Sequence, residues 1–485
     1  MDNFDETIKQ FAKQEKINVP ENYNDRVDTL LKNINTTAKR TKKRTSMKVL
    51  VAAAVVTVLT TASVFAAPVI TDMAGGVISY FNPSADSNNS NASIDSYDFK
   101  YLSQKATFEK FNSKVGASVT DKGIKLTIDN IAVDDNYINV FYTATSSSPI
   151  KIPGDASSET PLNWRIHSAA AVFSFKADGK FIEPATNIDV EAQMINETTL
   201  KGMHRFSLTK SLPDKINLEI YTNRVANVEG SWYIPLIVDK TNPKSTTLTV
   251  TPNLKASVTT GIKNKYTHDI TIDKVSISPF GSKIDIIENA KSDNILEAFV
   301  LISDTGKYLN VIGSDSKWEH HGNYDKKSST RNATVTTSFE FMGGTTDMKS
   351  IKLIPLGAGT DSDNLPAPKL ISKPISDGFP IRLEQSKNGT IVIDDLKITK
   401  DSAIITIHTE GVVLLPSINL LDENGKHLNM DIFRDTAYDR QNSRTILTYR
   451  FKGASDQDIA KIKKLGIYTQ TVELNEADAI TIPLK

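Results

Sequence analysis

The chain of 485 residues has no cysteine, and that one absence excludes disulfides, thiolate nucleophiles and thiolate metal sites together. Histidine is scarce as well, with seven in the whole chain, so imidazole chemistry has few places to occur. The patterns G-x-S-x-G, H-E-x-x-H, G-x-x-x-x-G-K-[ST] and G-x-G-x-x-G are all missing, which removes the common hydrolase, zinc-protease and nucleotide motifs. Paired carboxylates leave no mark in a single sequence, but nothing else points to catalysis, and the expectation is a protein with no enzymatic activity and no cofactor. An excess of charge of one sign is missing too, since 57 Lys and Arg balance 57 Asp and Glu. The distribution is uneven: residues 1–48 hold 11 basic against 7 acidic residues and leave the remainder mildly acidic. Such a remainder offers phosphate no clustered basic surface, so nucleic acid is not an expected partner.

Long apolar runs are rare, and one stands out. Val49 to Ala67, VLVAAAVVTVLTTASVFAA, holds 19 residues without a charge. At helical rise it spans about 28 Å, close to the hydrocarbon thickness of a bilayer. Lys39, Arg40, Lys42, Lys43, Arg44 and Lys48 precede it, whereas Asp72 is the only charge in the 18 residues that follow. The positive-inside bias places the N-terminus in the cytoplasm and the C-terminal region outside the cell. Val64-Phe65-Ala66 resembles a signal-peptide cleavage site, but a signal n-region is a few residues long and here a whole helical segment precedes the run. Retention as a single-pass anchor in membrane lipid is therefore expected over cleavage. A buried core helix is the third reading, and the six flanking cations disfavour it. A mostly extracytoplasmic chain of this size without disulfides suits a Gram-positive cell membrane.

Ahead of the anchor, Phe4, Ile8, Phe11 and Ala12 recur at helical spacing, with Asp5 and Glu6 at the start, where the helix macrodipole favours acid. Pro20 interrupts, and Tyr23, Val27, Leu30, Leu31 and Ile34 make a second apolar stripe. Two helices in residues 1–46 can close into a hairpin. So short a pair has too little core to stand alone, and its stripe should bury itself against a cytoplasmic protein. Packing on the membrane surface, or a disordered tether, is the competing reading. The mixed charge of the segment up to residue 35 favours a protein.

After the span at 47–67, residues 68–98 read as a stalk, because NPSADSNNSNASIDSYD at 82–98 is rich in Asn and Ser and almost free of apolar side chains. Beyond it the pattern turns to period-two alternation bounded by Asp, Asn and Gly turns. One strand pattern occurs three times: Leu126-Thr-Ile-Asp-Asn-Ile-Ala-Val, Ile270-Thr-Ile-Asp-Lys-Val-Ser-Ile and Ile391-Val-Ile-Asp-Asp-Leu-Lys-Ile. Each is followed by a second alternating strand, from Tyr137, Lys283 and Ala403, and then by a turn, Asp178-Gly-Lys, Asp304-Thr-Gly-Lys or Glu423-Asn-Gly-Lys. A repeat this long is a whole domain, since solenoid units have periods of only about 20 to 50 residues. The expected fold is mainly β, with serial immunoglobulin-like antiparallel β-sandwich modules at 99–255, 256–377 and 378–485 outside the cell, one transmembrane helix, and a short α-helical cytoplasmic segment.

Asp129, Asp273 and Asp394 recur at one place in each repeat. They invite a calcium or catalytic reading, but β-formers on both sides make a bulge or turn the better account. Asp422-Glu-Asn-Gly has its glycine fourth where a calcium loop has it sixth, and a hairpin turn explains it. His320 and His321, beside Trp318 and Tyr324, form the one cluster suited to a metal or a sugar. A polar loop is the simpler account, since neighbours in a strand face opposite ways and no metal site is expected.

Val19-Pro-Glu-Asn-Tyr-Asn-Asp-Arg-Val-Asp-Thr-Leu-Leu, followed by the basic cluster and the apolar run, resembles the membrane-anchored anti-sigma factors of Gram-positive bacteria. Those proteins hold an extracytoplasmic-function sigma factor through a small helical cytoplasmic domain. Gly123-Ile-Lys-Leu-Thr-Ile-Asp-Asn-Ile-Ala-Val-Asp-Asp and Gly230-Ser-Trp-Tyr-Ile-Pro-Leu-Ile-Val-Asp-Lys, with a further module from Ser276-Ile-Ser-Pro-Phe, are similar to an uncharacterised bacterial ectodomain family, a domain of unknown function. The likeness covers roughly residues 15 to 290. It implies signal transduction, with a sigma factor held by Phe4, Ile8, Phe11, Tyr23, Val27, Leu30, Leu31 and Ile34 and an unknown extracellular ligand sensed outside. The zinc-binding His-x-x-x-Cys-x-x-Cys pattern of many anti-sigma domains has no counterpart in a chain without cysteine. The alternative is a cell-surface binding or adhesion protein, for which the cytoplasmic helices would be dispensable.

Overall fold

The computed structural model describes residues 80–81, 100–154, 162–240, 246–290, 295–325, 330–358, 365–414, 416–428 and 430–485. The expected cytoplasmic helices, the apolar run and most of the 68–98 stalk lie outside the described residues. Among the described residues, no helix is long and apolar enough to cross a membrane.

The fold is mainly β, and its strands group into three pairs of sheets. The first holds β1 (Ser113–Asp121), β2 (Ile124–Val133), β3 (Tyr137–Ser146), β4 (Ser174–Ala177), β5 (Lys180–Phe181), β6 (Pro184–Asn196), β7 (Thr199–Leu208), β8 (Lys215–Val225) and β9 (Val228–Asp239). Its larger sheet runs β1-β2-β3-β7-β6 and its smaller sheet β5-β4-β8-β9. The second holds β10 (Leu248–Val250), β11 (Leu254–Thr260), β12 (Tyr266–Ser278), β13 (Gly281–Ala290), β14 (Phe299–Ser303), β15 (Tyr308–Leu309), β16 (Val311–Asp325), β17 (Thr330–Phe341) and β18 (Ser350–Ala358). The third holds β19 (Leu370–Pro374), β20 (Ile381–Ser386), β21 (Gly389–Ile398), β22 (Ser402–Gly411), β23 (Asn419–Leu421), β24 (Asp431–Asp439), β25 (Arg444–Lys452) and β26 (Lys464–Tyr468). Two last strands, β27 (Val472–Leu474) and β28 (Ile480–Pro483), close the chain.

One plan recurs in the larger sheets. The repeated strand and its partner form the antiparallel hairpins β2-β3, β12-β13 and β21-β22. Beyond each hairpin lies a second one, β7-β6, β17-β16 or β25-β24. Period-two alternation is what lets such a sheet bury one face: in β20, Ile381, Leu383 and Gln385 are buried while Arg382 and Glu384 are exposed. Opposed to each larger sheet is a smaller one, and the two share a core. In the first pair Ile128, Val140 and Tyr142 meet Phe175, Ile220 and Trp232, and the Trp232 indole donates to the Ile124 carbonyl oxygen at 3.1 Å across the gap. Full burial of such side chains contributes roughly 1.5 to 3 kcal/mol each.

Asp129, Asp273 and Asp394 each fall at a register shift, between Ile128 and Asn130, Ile272 and Lys274, and Ile393 and Asp395. These are the bulges expected from the sequence, and a bulge adds local twist to the hairpin. The Asp422 turn also forms as expected: the carboxylate Oδ1 accepts from the Asn424 and Lys426 amides at 2.8 Å each. The histidine pair differs. Trp318, His320 and His321 stand in β16, a strand and not a polar loop, with His321 Nε2 bonded to the Thr334 hydroxyl at 2.9 Å on the neighbouring strand. Among the described residues no group of three or more His, Asp or Glu is placed to hold a metal ion.

Strand pairing does not keep to the serial limits. β10 precedes residue 255 yet pairs with β12, while β27 and β28 return from the chain end to pair with β18. Ile480, Ile482 and Leu484 are thereby buried in the core of the second pair. The expected stalk also holds an exception. Tyr80 and Phe81, read as linker from the sequence, are buried in an aromatic cluster with Tyr101, Phe108, Phe141 and Phe280.

Candidate functional site

The aromatic cluster marks where the first two sheet pairs meet. Phe108, on the short helix α1 (Lys105–Phe111), stands 5.2 Å from Phe141 of β3 and 5.3 Å from Phe280, just before β13. Tyr80 lies edge-on to Phe141 at 5.5 Å. Such pairs contribute about 0.5 to 1.5 kcal/mol each beyond their area. Beside the rings, the buried Asp134 carboxylate accepts from the amides of Asn136 and Tyr137 at 2.7 and 2.8 Å, and from that of Phe280 at 3.2 Å. Asn136 Nδ2 donates to the Gly281 carbonyl oxygen at 2.9 Å. The turn between β2 and β3 is thus fastened to the turn before β13.

A charged network extends this junction to the third sheet pair. Arg205 of β7 donates from Nη2 to Glu340 Oε1 on β17 at 2.9 Å, and Arg440, in the turn after β24, donates from Nε to the same oxygen at 2.8 Å. One carboxylate therefore ties three sheet pairs. The Arg205 guanidinium lies 3.6 Å from the Tyr137 ring centroid and also donates to Gln104 Oε1 at 3.2 Å. Lys283 reaches the Ser207 hydroxyl and the Asn136 carbonyl oxygen. Burial works against ionising Glu340, but Arg205 and then Arg440 outweigh it and hold the carboxyl at about 2. Burial pushes the Lys283 ammonium down to about 8, with Asp285 opposing. Gly281 is required here. Its φ is +154°, and a Cβ would lie 2.9 Å from Glu340 Oε1 and from the Tyr137 ring.

Two carboxylates of β6 clasp the chain that leads into this junction. Glu191 Oε2 accepts from the Tyr80 hydroxyl at 3.2 Å, and its Oε1 accepts from the Lys100 amide at 2.8 Å. Gln193 donates to the Tyr80 carbonyl oxygen. Lys100 Nζ donates to Asp189 at 3.3 Å, where the Tyr101 hydroxyl also donates. Burial raises the Glu191 carboxyl to about 8; Lys100 opposes the rise and Asp189 adds to it. Asp189 goes the other way, because Lys100 and the Tyr101 hydroxyl overcome its burial.

Two open spaces flank the network. A pocket of about 280 Å³ is lined by Lys100, Asp189, Arg205, Lys283, Glu340 and Arg440 among others. A cleft of about 940 Å³ runs between the second and third sheet pairs, past Phe299, Tyr308, Val311, Val413 and Leu414. Ile312 and Tyr438 contribute to the lining of both. Elsewhere, the outer face of the first pair's smaller sheet carries an aromatic strip. Phe181 is 69% exposed and Ile237 77%; the rings of Phe181, Tyr221 and Tyr233 follow at 6.3 and 5.0 Å, with Lys176 Nζ 4.5 and 4.9 Å above the first two.

All eight residues expected to hold a partner, from Phe4 to Ile34, lie outside the described residues. The junction was not foreseen, since its members come from four distant stretches, and the one local signal was the motif ending at Phe280. Residues 41–146 match the model of a family described as a domain of unknown function (DUF4179), and that match ends where β3 ends. The expectation of an uncharacterised domain family is met to that extent. A search of the curated proteins finds no match. Among solved structures the chain is matched to one titled "The crystal structure of the conserved domain protein from Bacillus anthracis", at 10% identity over 78% of this chain and 93% of that one, with a TM-score of 0.35.

Proposed function

We propose that the chain is a single-pass membrane signalling protein of the anti-sigma kind. Its N-terminal helices hold a cytoplasmic sigma factor, its helix at 47–67 lies in the cell membrane, and its serial immunoglobulin-like sandwiches sense a ligand outside. The clasp at Glu191 is the observation that carries this reading. Tyr80 stands 13 residues beyond the apolar run and is built into the core where the sheet pairs meet. A tether that only displays a binding domain needs no such attachment. A transmitter does, because a change in packing at the junction is passed to the chain nearest the membrane only if that chain is part of the junction. The match over residues 41–146 supports the same arrangement, since it takes in four of the six cations of the basic cluster, the apolar run and β1 to β3 as one stretch. Replacing Tyr23 and Leu30 by Asp in the full-length chain tests the reading. Transcription of one set of genes should change, and an unaltered profile with the protein at normal level would refute it.

The aromatic strip favours a second reading, a surface protein that binds cell-wall polymer without enzymatic activity. Flat exposed rings on a sheet stack on sugar faces with little ordering to offset. Under that reading Phe181→Ala with Tyr233→Ala abolishes retention on cell-wall fragments, whereas Tyr23→Asp with Leu30→Asp has no effect on transcription.

A further inference from the structure

One buried charge takes no part in the charged network. Lys240, which follows β9, is 2% exposed and is the only charged group among the largest fully buried side chains of the described residues. Its Nζ is hydrogen-bonded to Asp135 Oδ1, in the turn between β2 and β3. The contact joins positions 105 apart, one beside the larger sheet of the first pair and one at the end of its smaller sheet. Both ends are held in place. The Lys240 amide donates to the Asp214 carbonyl oxygen at 2.9 Å, and Asp134 and Asn136 anchor the Asp135 turn on either side.

As an ion pair this arrangement is poorly satisfied. An ammonium has three N–H groups to place, and among the described residues Asp135 Oδ1 is the one acceptor bonded to Lys240 Nζ. Lys283 shows the contrast, since its similarly buried ammonium has three acceptors, the Ser207 hydroxyl and the Asn136 and Leu208 carbonyl oxygens. Two buried charges with so few hydrogen bonds carry a desolvation penalty that their attraction offsets poorly. An amide in the same place carries no charge and a single N–H. The chain also has no cysteine with which to staple its sheets.

We propose that Lys240 and Asp135 condense into an intramolecular isopeptide bond, which ties the two sheets of the first pair covalently. The pair supplies every atom of the step. One Nζ proton passes along the hydrogen bond to Oδ1, and the freed Nζ lone pair attacks Cγ. The Cγ–Oδ1 bond then breaks, Oδ1 leaves as water with a second Nζ proton, and the nitrogen keeps its last proton beside Cγ=Oδ2. Nothing is oxidised or reduced. The Thr249 hydroxyl, 3.5 Å from Oδ2 and 3.0 Å from the Ser276 hydroxyl, stands where negative charge gathers during the attack. A fixed contact supplies the effective concentration that a free amine and acid lack, and burial excludes the water that would reverse the step. Lys274 and Asp285 make a second buried pair, 3.1 Å apart. There the ammonium side chain is more exposed, at 10%, and the carboxylate also accepts from the Ser338 hydroxyl, so that pair stays ionic.

The test is tryptic peptide mapping by tandem mass spectrometry of the full-length chain, purified in detergent and unfolded before digestion. A branched peptide joining Asp135 to Lys240, lighter by one water than its two parts, should appear in nearly every copy, with cleavage after Lys240 lost. Lys274 should be recovered unlinked. On a denaturing gel the unaltered chain, with its closed loop, should run ahead of Lys240→Arg, which keeps the charge and forms no such amide. Recovery of Asp135 and Lys240 on separate peptides of ordinary mass, or a link from Lys240 to a different carboxyl, would overturn the proposal. The deciding readout is on the unaltered chain, so it stands whether or not Lys240→Arg folds. No outcome bears on Tyr23 and Leu30, and the bond and the sigma-factor reading fail separately.

Discussion

Replacing Glu340 by Gln removes one charge and nearly no volume, and its effect can be worked out in advance. Glu340 carries both Arg205 and Arg440, whose side chains are 4% and 10% exposed, while its own is 19% exposed. Its carboxyl falls from the ordinary 4.5 to about 2 in the folded chain. A drop of that size corresponds to about 3 kcal/mol of stability at neutral pH. Leaving a buried ion without its partner costs about 3 to 5 kcal/mol by mutation, which agrees. The sign follows from the direction: the folded carboxyl is the stronger acid, so the contribution is fully present above the unfolded value and is lost as pH falls through about 2. Near pH 3.5 the difference between Glu340→Gln and the unaltered chain should therefore have shrunk to about 2 kcal/mol. Urea unfolding followed by tryptophan fluorescence measures it at both pH values. A difference below about 1 kcal/mol at neutral pH, or one that stays constant on acidification, would refute the network as described.

Gly281→Ala forces a Cβ to 2.9 Å from Glu340 Oε1 and the Tyr137 ring at a φ of +154°, and should lower stability by about 1 to 3 kcal/mol, read as a lower midpoint in thermal unfolding. Gly202→Ala tests the first core alone: its Cβ would fall 2.2 Å from the Tyr142 ring, which lies directly across the β3-β7 pairing, and a comparable loss is expected while Arg440 and Glu340 keep their protection from hydrogen exchange. The Glu191 clasp has its own pH signature. Because the folded carboxyl is raised from 4.5 to about 8, its contribution is complete below the unfolded value and disappears as pH rises through about 8. The Lys100 amide, corrected for intrinsic exchange, should lose protection across that window, and Glu191→Gln should remove the dependence.

The sequence made local features legible and left the distant ones hidden. Three copies of one alternating strand revealed the recurrent hairpins, and the Asp in each copy marked a bulge, because period-two burial and its interruption are written residue by residue. The return of β27 and β28 to β18 had no such mark, since nothing in Ile480 or Ile482 distinguishes a partner a hundred residues back from a neighbour. Tyr80 and Phe81 were read with the Asn and Ser that follow them, although two adjacent aromatic residues are a poor fit to a linker. The junction was the least visible. Arg205, Glu340 and Arg440 each look like ordinary surface charges in an alternating strand or turn, and only the packing of three sheet pairs takes them out of water together.

The proposed signalling reading requires that Tyr80 and Lys100, held at the junction by Glu191, connect the sheets to the helices expected in residues 1–46. The most direct measurement is a genome-wide transcription profile of two variants at matched protein level, Glu191→Ala at the junction and Tyr23→Asp with Leu30→Asp in the N-terminal segment. The account predicts that both shift the same set of genes. A shift from the N-terminal variant alone, with hydrogen exchange showing that Glu191→Ala has loosened Tyr80 and Lys100, would contradict it.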